Sequence, residues 1–240
     1  VEDTQRPMVT AMSPGNNIDN VALNPRYRVR FDEPINSLSA QLEGDMSVWF
    51  GADNQELLYL RHAPLAANTE HTETITTITD LAGNEVVPHS EVFTTGIYAD
   101  VTVPNFVSYL PQSNSTVATN TSVVWQFNEV IDALSLNANT VYVKDTSLSG
   151  SPKVAGSAQL SADGRTITWV ADAQAGALLP DRRYYAVVAG VTDLSGNVNS
   201  TDAYYFTTGP VADNAAPLVR LTSIEQGLSE VPTNARIRVR

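Results

Sequence analysis

The chain has no cysteine among its 240 residues, which excludes a disulfide framework, a thiolate-ligated zinc or iron–sulfur centre and a cysteine nucleophile. Lysine is nearly missing too, with Lys144 and Lys153 as the two present. Fourteen basic residues against 26 acidic ones give a formal net charge of −12, so no nucleic-acid partner and no anionic membrane surface is expected. No apolar run approaches the roughly 20 residues of a membrane-spanning helix, so no membrane insertion is expected either. No two glycines stand two residues apart and no Gly-Lys pair occurs, which removes the dinucleotide-binding loop, the nucleophile elbow and the phosphate-binding P-loop. The sequence begins at Val1 without a basic-then-apolar leader; any targeting segment is expected to have been removed or to lie outside this stretch.

What is present is a repeat, and a repeat decides architecture before local propensity does. Thr79-Asp80-Leu81-Ala82-Gly83-Asn84 recurs as Thr192-Asp193-Leu194-Ser195-Gly196-Asn197, and Phe93-Thr94-Thr95-Gly96 recurs as Phe206-Thr207-Thr208-Gly209, both at an offset of 113 residues. Earlier, Asn24 to Ile35 aligns with Asn120 to Ile131 at an offset of 96, so the second copy holds 17 more residues between these landmarks. The expected place of the difference is the Ser161-Ala162-Asp163-Gly164-Arg165 hairpin, with the first copy passing quickly from Trp49 and Phe50 to Leu57 and losing part of its edge-strand pairing. A third copy begins at Val231 to Asn234 and Arg236 to Arg240, which match Val21 to Asn24 and Arg26 to Arg30. Each copy is announced by an Asp four residues before a Pro: Asp3 and Pro7, Asp100 and Pro104, Asp213 and Pro217.

Within a copy the hydrophobic period is two. Tyr27, Val29 and Phe31 share one side while Arg28 and Arg30 take the other; Val123, Trp125 and Phe127 alternate in the same way. Many short strands rich in Val, Ile, Tyr, Thr and Trp, bounded by turn residues, predict an antiparallel sandwich. The expected fold class is therefore all-β: tandem immunoglobulin-like antiparallel sandwiches over 1–98 and 99–210, with 211–240 as the first strands of a truncated third.

These landmarks resemble the bacterial Ig-like domain of the S-layer type (SbsA-like, Big_5). The first copy carries Pro7-Met8-Val9, Ser13-Pro14, Phe31-Asp32-Glu33-Pro34-Ile35, Asp80-Leu81-Ala82-Gly83-Asn84 and Phe93-Thr94-Thr95-Gly96. The second keeps Phe127-Asn128-Glu129-Val130-Ile131, Asp193 to Asn197 and Phe206 to Gly209, departing at Val130 where the pattern has Pro, and at Leu110-Pro111. The resemblance implies modules of secreted or surface-displayed bacterial proteins and no single activity. The expectation is a non-catalytic structural or spacer segment of an extracellular protein, such as an adhesin, an S-layer-like protein or a filament component. Its partners would be neighbouring repeats, other copies in a surface assembly, or glycans. The alternative is a glycan-binding accessory module, which needs an exposed row of aromatics; Tyr185 and Tyr205 are the candidates, with Trp49, Trp125 and Trp169 assigned to the core.

Catalytic residues are not expected. Twenty-six acids offer carboxylate pairs of the glycosidase kind, but acids on a sandwich serve mainly solubility. His62, His71 and His89 lack the spacing of a helical zinc site, and Lys144 and Lys153 read as solvated rather than as partners in an isopeptide crosslink. In an Ig topology the start of the first strand, the loop after the second and the loop between the last two meet at one pole. That would bring together Asp100, Glu129 and Asp193 in the second copy, and Asp3, Glu33 and Asp80 in the first. Three converging carboxylates repel, and Ca²⁺, a hard cation taking 6–8 oxygens, suits them. The competing readings are that Glu129 caps local backbone, and that Asp-Leu-x-Gly-Asn is simply a turn motif in which Asp and Asn bond the backbone while Gly takes the left-handed conformation.

Overall fold

A computed structural model describes residues 2–40, 44–172, 178–216 and 218. The third repeat expected over 211–240 lies outside them from residue 219 onward, including both of its aligned segments.

The first unit pairs β1 (Val9–Ser13), β3 (Arg26–Phe31), β5 (Glu56–Arg61) and β4 (Met46–Phe50) into one antiparallel sheet. The facing sheet is β2 (Ile18–Val21), β7 (His89–Thr95) and β6 (Glu70–Ile75). The second unit repeats the plan. Its first sheet runs in the order β12 (Gly156–Leu160), β13 (Thr166–Ala171), β10 (Val123–Phe127), β8 (Phe106–Leu110); its second runs β11 (Val141–Asp145), β14 (Arg183–Val188), β15 (Asp202–Thr208), β9 (Thr116–Val117).

The period-two reading places the core as expected. Tyr27, Val29 and Phe31 are buried, as are Trp125 and Trp169. Tyr27 stacks on Tyr59 at 4.6 Å and 6°, an offset of rings that adds to the burial of their area. Trp49 departs from the expectation. It lies on β4, at the edge of its sheet, and is 46% exposed, with the Arg26 guanidinium 5.4 Å above its ring; an edge strand has no further neighbour to cover its outer side chains.

The 17-residue difference also falls elsewhere than the hairpin. The first unit keeps that hairpin as β4–β5, closed by Gly51 N–H to Glu56 O at 2.8 Å. Among the described residues, what it lacks is a counterpart of β11, so β6 is an edge where its equivalent β14 is central. The inward residue of that strand changes accordingly. Ala186 is buried in β14, whereas the first unit holds Glu73, whose carboxylate takes the Tyr59 hydroxyl at 2.7 Å and the Arg61 guanidinium at 2.8 and 3.0 Å.

The two units are in contact on either side of the short Asp100–Pro104 linker. The leading pole of the second unit sits on the trailing ends of β1 and β3. Arg26 N–H donates to Leu194 O at 2.9 Å, and Leu194 packs against the first unit's core. Asp132, at the start of the 3-10 turn Ala133–Ser135, lies 3.0 Å from Arg28 Nε.

Candidate metal centres

The six carboxylates named from sequence gather into the two expected groups. Asp3, Glu33 and Asp80 form one, and Asp100, Glu129 and Asp193 the other; in each, one oxygen per residue lies within 4.8 Å of the other two. The topology explains the convergence. The first Asp precedes the first strand of its unit, the Glu follows β3 or β10, and the last Asp sits between the final two strands. The bridges Ile35 to Asp80 and Ile131 to Asp193 hold the second and third elements together.

The Asp-Leu-x-Gly-Asn loops are indeed turns. Asp80 Oδ1 accepts from the Ala82 and Asn84 N–H groups, each at 2.8 Å, and Oδ2 from the Asn84 amide at 2.7 Å. Asp193 repeats this with Ser195 at 2.8 Å, Asn197 N–H at 2.9 Å and the Asn197 amide at 2.7 Å. Gly83 and Gly196 take φ of +95° and +82°, the left-handed region that a β-carbon disfavours. The turn therefore pins an aspartate in a fixed orientation, and its carboxylate still faces the group.

The glutamates behave differently. Oε1 of Glu33 and Oε1 of Glu129 are both buried with no hydrogen-bond partner, so backbone capping does not account for them. An orphaned buried oxygen costs free energy that a counter-ion recovers. Burial, followed by the charges of Asp100 and Asp193, pushes the Glu129 carboxyl up to about 7. Burial, then Asp3, Asp80 and Asp32, raises Glu33 as well. The two aspartates at the turns diverge. Burial acts to raise both, but hydrogen bonds from Asn84 and the turn backbone hold Asp80 below the usual carboxylate range, whereas Asp193, beneath the first unit and beside Asp100, stays above it. Arg165 offers the second group partial compensation, and it lines the same 250 Å³ cleft between the units. One guanidinium against three carboxylates leaves an oxygen-rich, net negative site of the kind a hard divalent cation fits.

Sequence reasoning missed the device that places Asp100. The Asn24 side chain grips its backbone from the first unit, donating to Asp100 O and accepting from Asp100 N–H, both at 2.7 Å. Asn197 grips Asp100 O from the second unit at 3.3 Å. Asn24 and Asn120 both stood out as repeat landmarks, and that was the available signal: Asn120 holds Asp213 in the same two-bond manner, at 2.8 and 3.0 Å.

Other candidates do not assemble. The exposed aromatics among the described residues are Trp49, Tyr98 and Tyr205, on β4, in the linker and on β15, and they form no row. Tyr185 packs on Tyr205 at 4.5 Å, under Arg183. His62 pairs with Asp45 and His89 with Glu91. Lys153 donates to Ala138 O and Asn139 at the surface.

No curated protein matches the chain. Among solved structures, CopC from Methylosinus trichosporium OB3b is 18% identical with a TM-score of 0.37, covering 47% of this chain and 99% of its own. PcoC, a methionine-rich copper resistance protein from Escherichia coli, is 21% identical with a TM-score of 0.37, covering 45% and 99%. Domains 1–6 of the surface layer protein SbsC are 13% identical with a TM-score of 0.30, covering 92% of this chain and 27% of that one. The family model for the bacterial Ig-like domain (Big_5) matches twice, over residues 3–95 and 100–208, and the chain belongs to that family.

Proposed function

We propose that this chain is a non-catalytic structural segment of a larger bacterial protein displayed at or beyond the cell surface. In this reading a divalent cation, Ca²⁺ by preference, binds at the leading pole of each unit and stiffens the joint between them. Family membership supports the setting. The observation that carries the mechanical role is the double use of Asp100: its backbone is held by the side chains of both units, and its carboxylate belongs to the second triad. A cation drawn to Asp100, Glu129 and Asp193 thus acts on the linker itself, and neutralising the triad would remove the mutual repulsion that burial intensifies.

Calorimetric titration of Ca²⁺ into the EDTA-stripped chain, with thermal unfolding alongside, tests this. Binding stabilises the folded state by mass action, about 2.7 kcal/mol at a hundredfold excess over Kd, and so raises the midpoint. Glu129→Gln should abolish one binding event and leave the other. An unchanged midpoint with no heat of binding in millimolar Ca²⁺ removes the cation from the reading.

A further inference from the structure

The joint between the units has a repeated anatomy, and at the two outer poles half of it stands without its partner among the described residues. Asp100 is gripped from both sides, by Asn24 of the unit behind and Asn197 of the unit ahead. Asp3 has the forward half alone among the described residues, Asn84 donating to its carbonyl at 3.2 Å. Asp213 has the rear half, Asn120. The flanking side chains follow the same division. Leu194 is inserted beside Met12 and Ile18 of the first unit, while its equivalent Leu81 is 73% exposed. Leu134 lines a second, 470 Å³ cleft between the units, while its equivalent Leu38 is 88% exposed. A β-carbon on Gly196 would stand 2.8 Å from the Arg26 guanidinium, and one on Gly83 would meet nothing within 4 Å.

Charge narrows what could sit there. At the formed joint Asp132 faces Arg28. By the 96-residue offset, Asp132 corresponds to Asn36 and Arg28 to Val124. The leading pole of the first unit therefore offers asparagine where the formed joint offers Asp132, and would leave an Arg28-like residue with only the carboxylate of its own sheet, as Arg28 has in Glu56 at 2.8 Å. It suits a trailing pole that is uncharged at that position, as the second unit's is.

We propose that the leading pole of the first unit, built on Leu81, Leu38 and Asp3, is a docking surface for the trailing pole of another Ig-like unit of the second unit's type, joined ahead of Asp3. The occupant inserts beneath Leu81 as the first unit does beneath Leu194, and supplies the asparagine that completes the grip on Asp3. This rests on the reading of the chain as a stiffly jointed structural segment.

The test joins residues 1–212 directly to residues 3–240, so that Asp3 takes the place of Asp213 in the grip of Asn120. Because the chain has no cysteine, single thiols report burial cleanly. In the unjoined chain, Leu81→Cys should react with a maleimide at a free-thiol rate and Leu194→Cys at least tenfold more slowly. In the joined chain, Leu81→Cys of the following copy should slow at least tenfold. Equal rates for Leu81→Cys in the two forms, with Leu194→Cys protected, overturn the docking surface and leave the jointed segment standing. A Leu194→Cys that reacts freely overturns both. Glycine variants give a second readout, since both positions share the same backbone strain. Gly83→Ala should lower the thermal midpoint more in the joined chain than in the unjoined one, and an equal effect in both refutes the contact.

Discussion

Replacing Arg28 by methionine keeps the apolar stem and removes the charge that faces Asp132 at the joint and the partly exposed Glu56 beside it. The pair is enclosed at the joint, with side-chain exposures of 14% and 4%. Asp132 retains Leu134 N–H at 3.0 Å but no cation. Stranding a buried carboxylate in this way costs about 3–5 kcal/mol. Protonation sets a ceiling: from a reference value of 3.8, binding a proton at pH 7 costs about 4 kcal/mol at 1.36 kcal/mol per unit. The expected loss at pH 7 is thus about 3 kcal/mol. At pH 5 the ceiling is about 1.6 kcal/mol, and the loss should shrink below about 2 kcal/mol. The sign is consistent with the wild-type group. Burial raises Asp132 despite Arg28 and its hydrogen bonds, so its contribution to stability is greatest below pH 3.8 and is lost as pH rises through the raised folded value; removing Arg28 steepens that loss. Asp132→Asn should cost only about 1 kcal/mol, because Arg28 keeps Glu56 as its partner at 2.8 Å and asparagine already fills the equivalent cap at Asn36, where its Oδ1 accepts from Leu38 N–H at 3.1 Å; one neutral hydrogen bond is worth about that much. The double variant should be more stable than Arg28→Met alone. Guanidinium unfolding at both pH values, followed by tryptophan fluorescence, measures all three. A loss under about 0.5 kcal/mol, the scale of an exposed pair, or one of equal size at pH 5 and pH 7, refutes the buried-charge argument.

In EDTA the thermal midpoint should fall as pH rises from 4.5 to about 7, because Glu129 binds its proton more tightly folded than unfolded; Glu129→Gln should flatten that slope, which differential scanning calorimetry across the range will show. Asn24→Ala removes both bonds to the Asp100 backbone, and should destabilise by about 1–2 kcal/mol while weakening Ca²⁺ binding at the second triad alone in a calorimetric titration. Gly156→Ala places a β-carbon 2.3 Å from the Trp169 ring and 2.5 Å from Val170 O; overpacking of this kind costs about 1–3 kcal/mol, and urea unfolding should show it with no change at the joint.

Much of this architecture is written in one dimension. Period-two alternation named Tyr27, Val29, Phe31 and Trp125 as inward because a half-buried strand must alternate. The triads were legible because each carboxylate sits at a fixed offset from a strand end, and strand ends gather at poles. The joint was not legible. Arg28 reads as an ordinary outward residue of β3, and nothing within its neighbourhood in the chain announces Asp132, 104 positions away. Trp49 was misplaced for a related reason, since composition alone does not distinguish an edge strand from a central one. The length difference was assigned to the wrong spot because hairpin landmarks are conspicuous, whereas the lack of a counterpart of β11 among the described residues leaves only a shorter stretch.

The glutamate inside β6 bears on how such chains stay apart from one another. A bare edge strand offers a row of unsatisfied backbone groups to any passing strand. In the second unit β11 covers that row, and the covered strand carries Ala186 inward. In the first unit no strand covers the row on β6 among the described residues, and Glu73 takes the same inward position, its charge satisfied by Tyr59 and Arg61. A foreign strand laid along β6 would close the remaining access of water to that cluster while bringing no counter-charge of its own. An inward charge of this kind disfavours strand addition along β6, a device that Ala186 does not provide in the second unit, where β11 takes over as the edge.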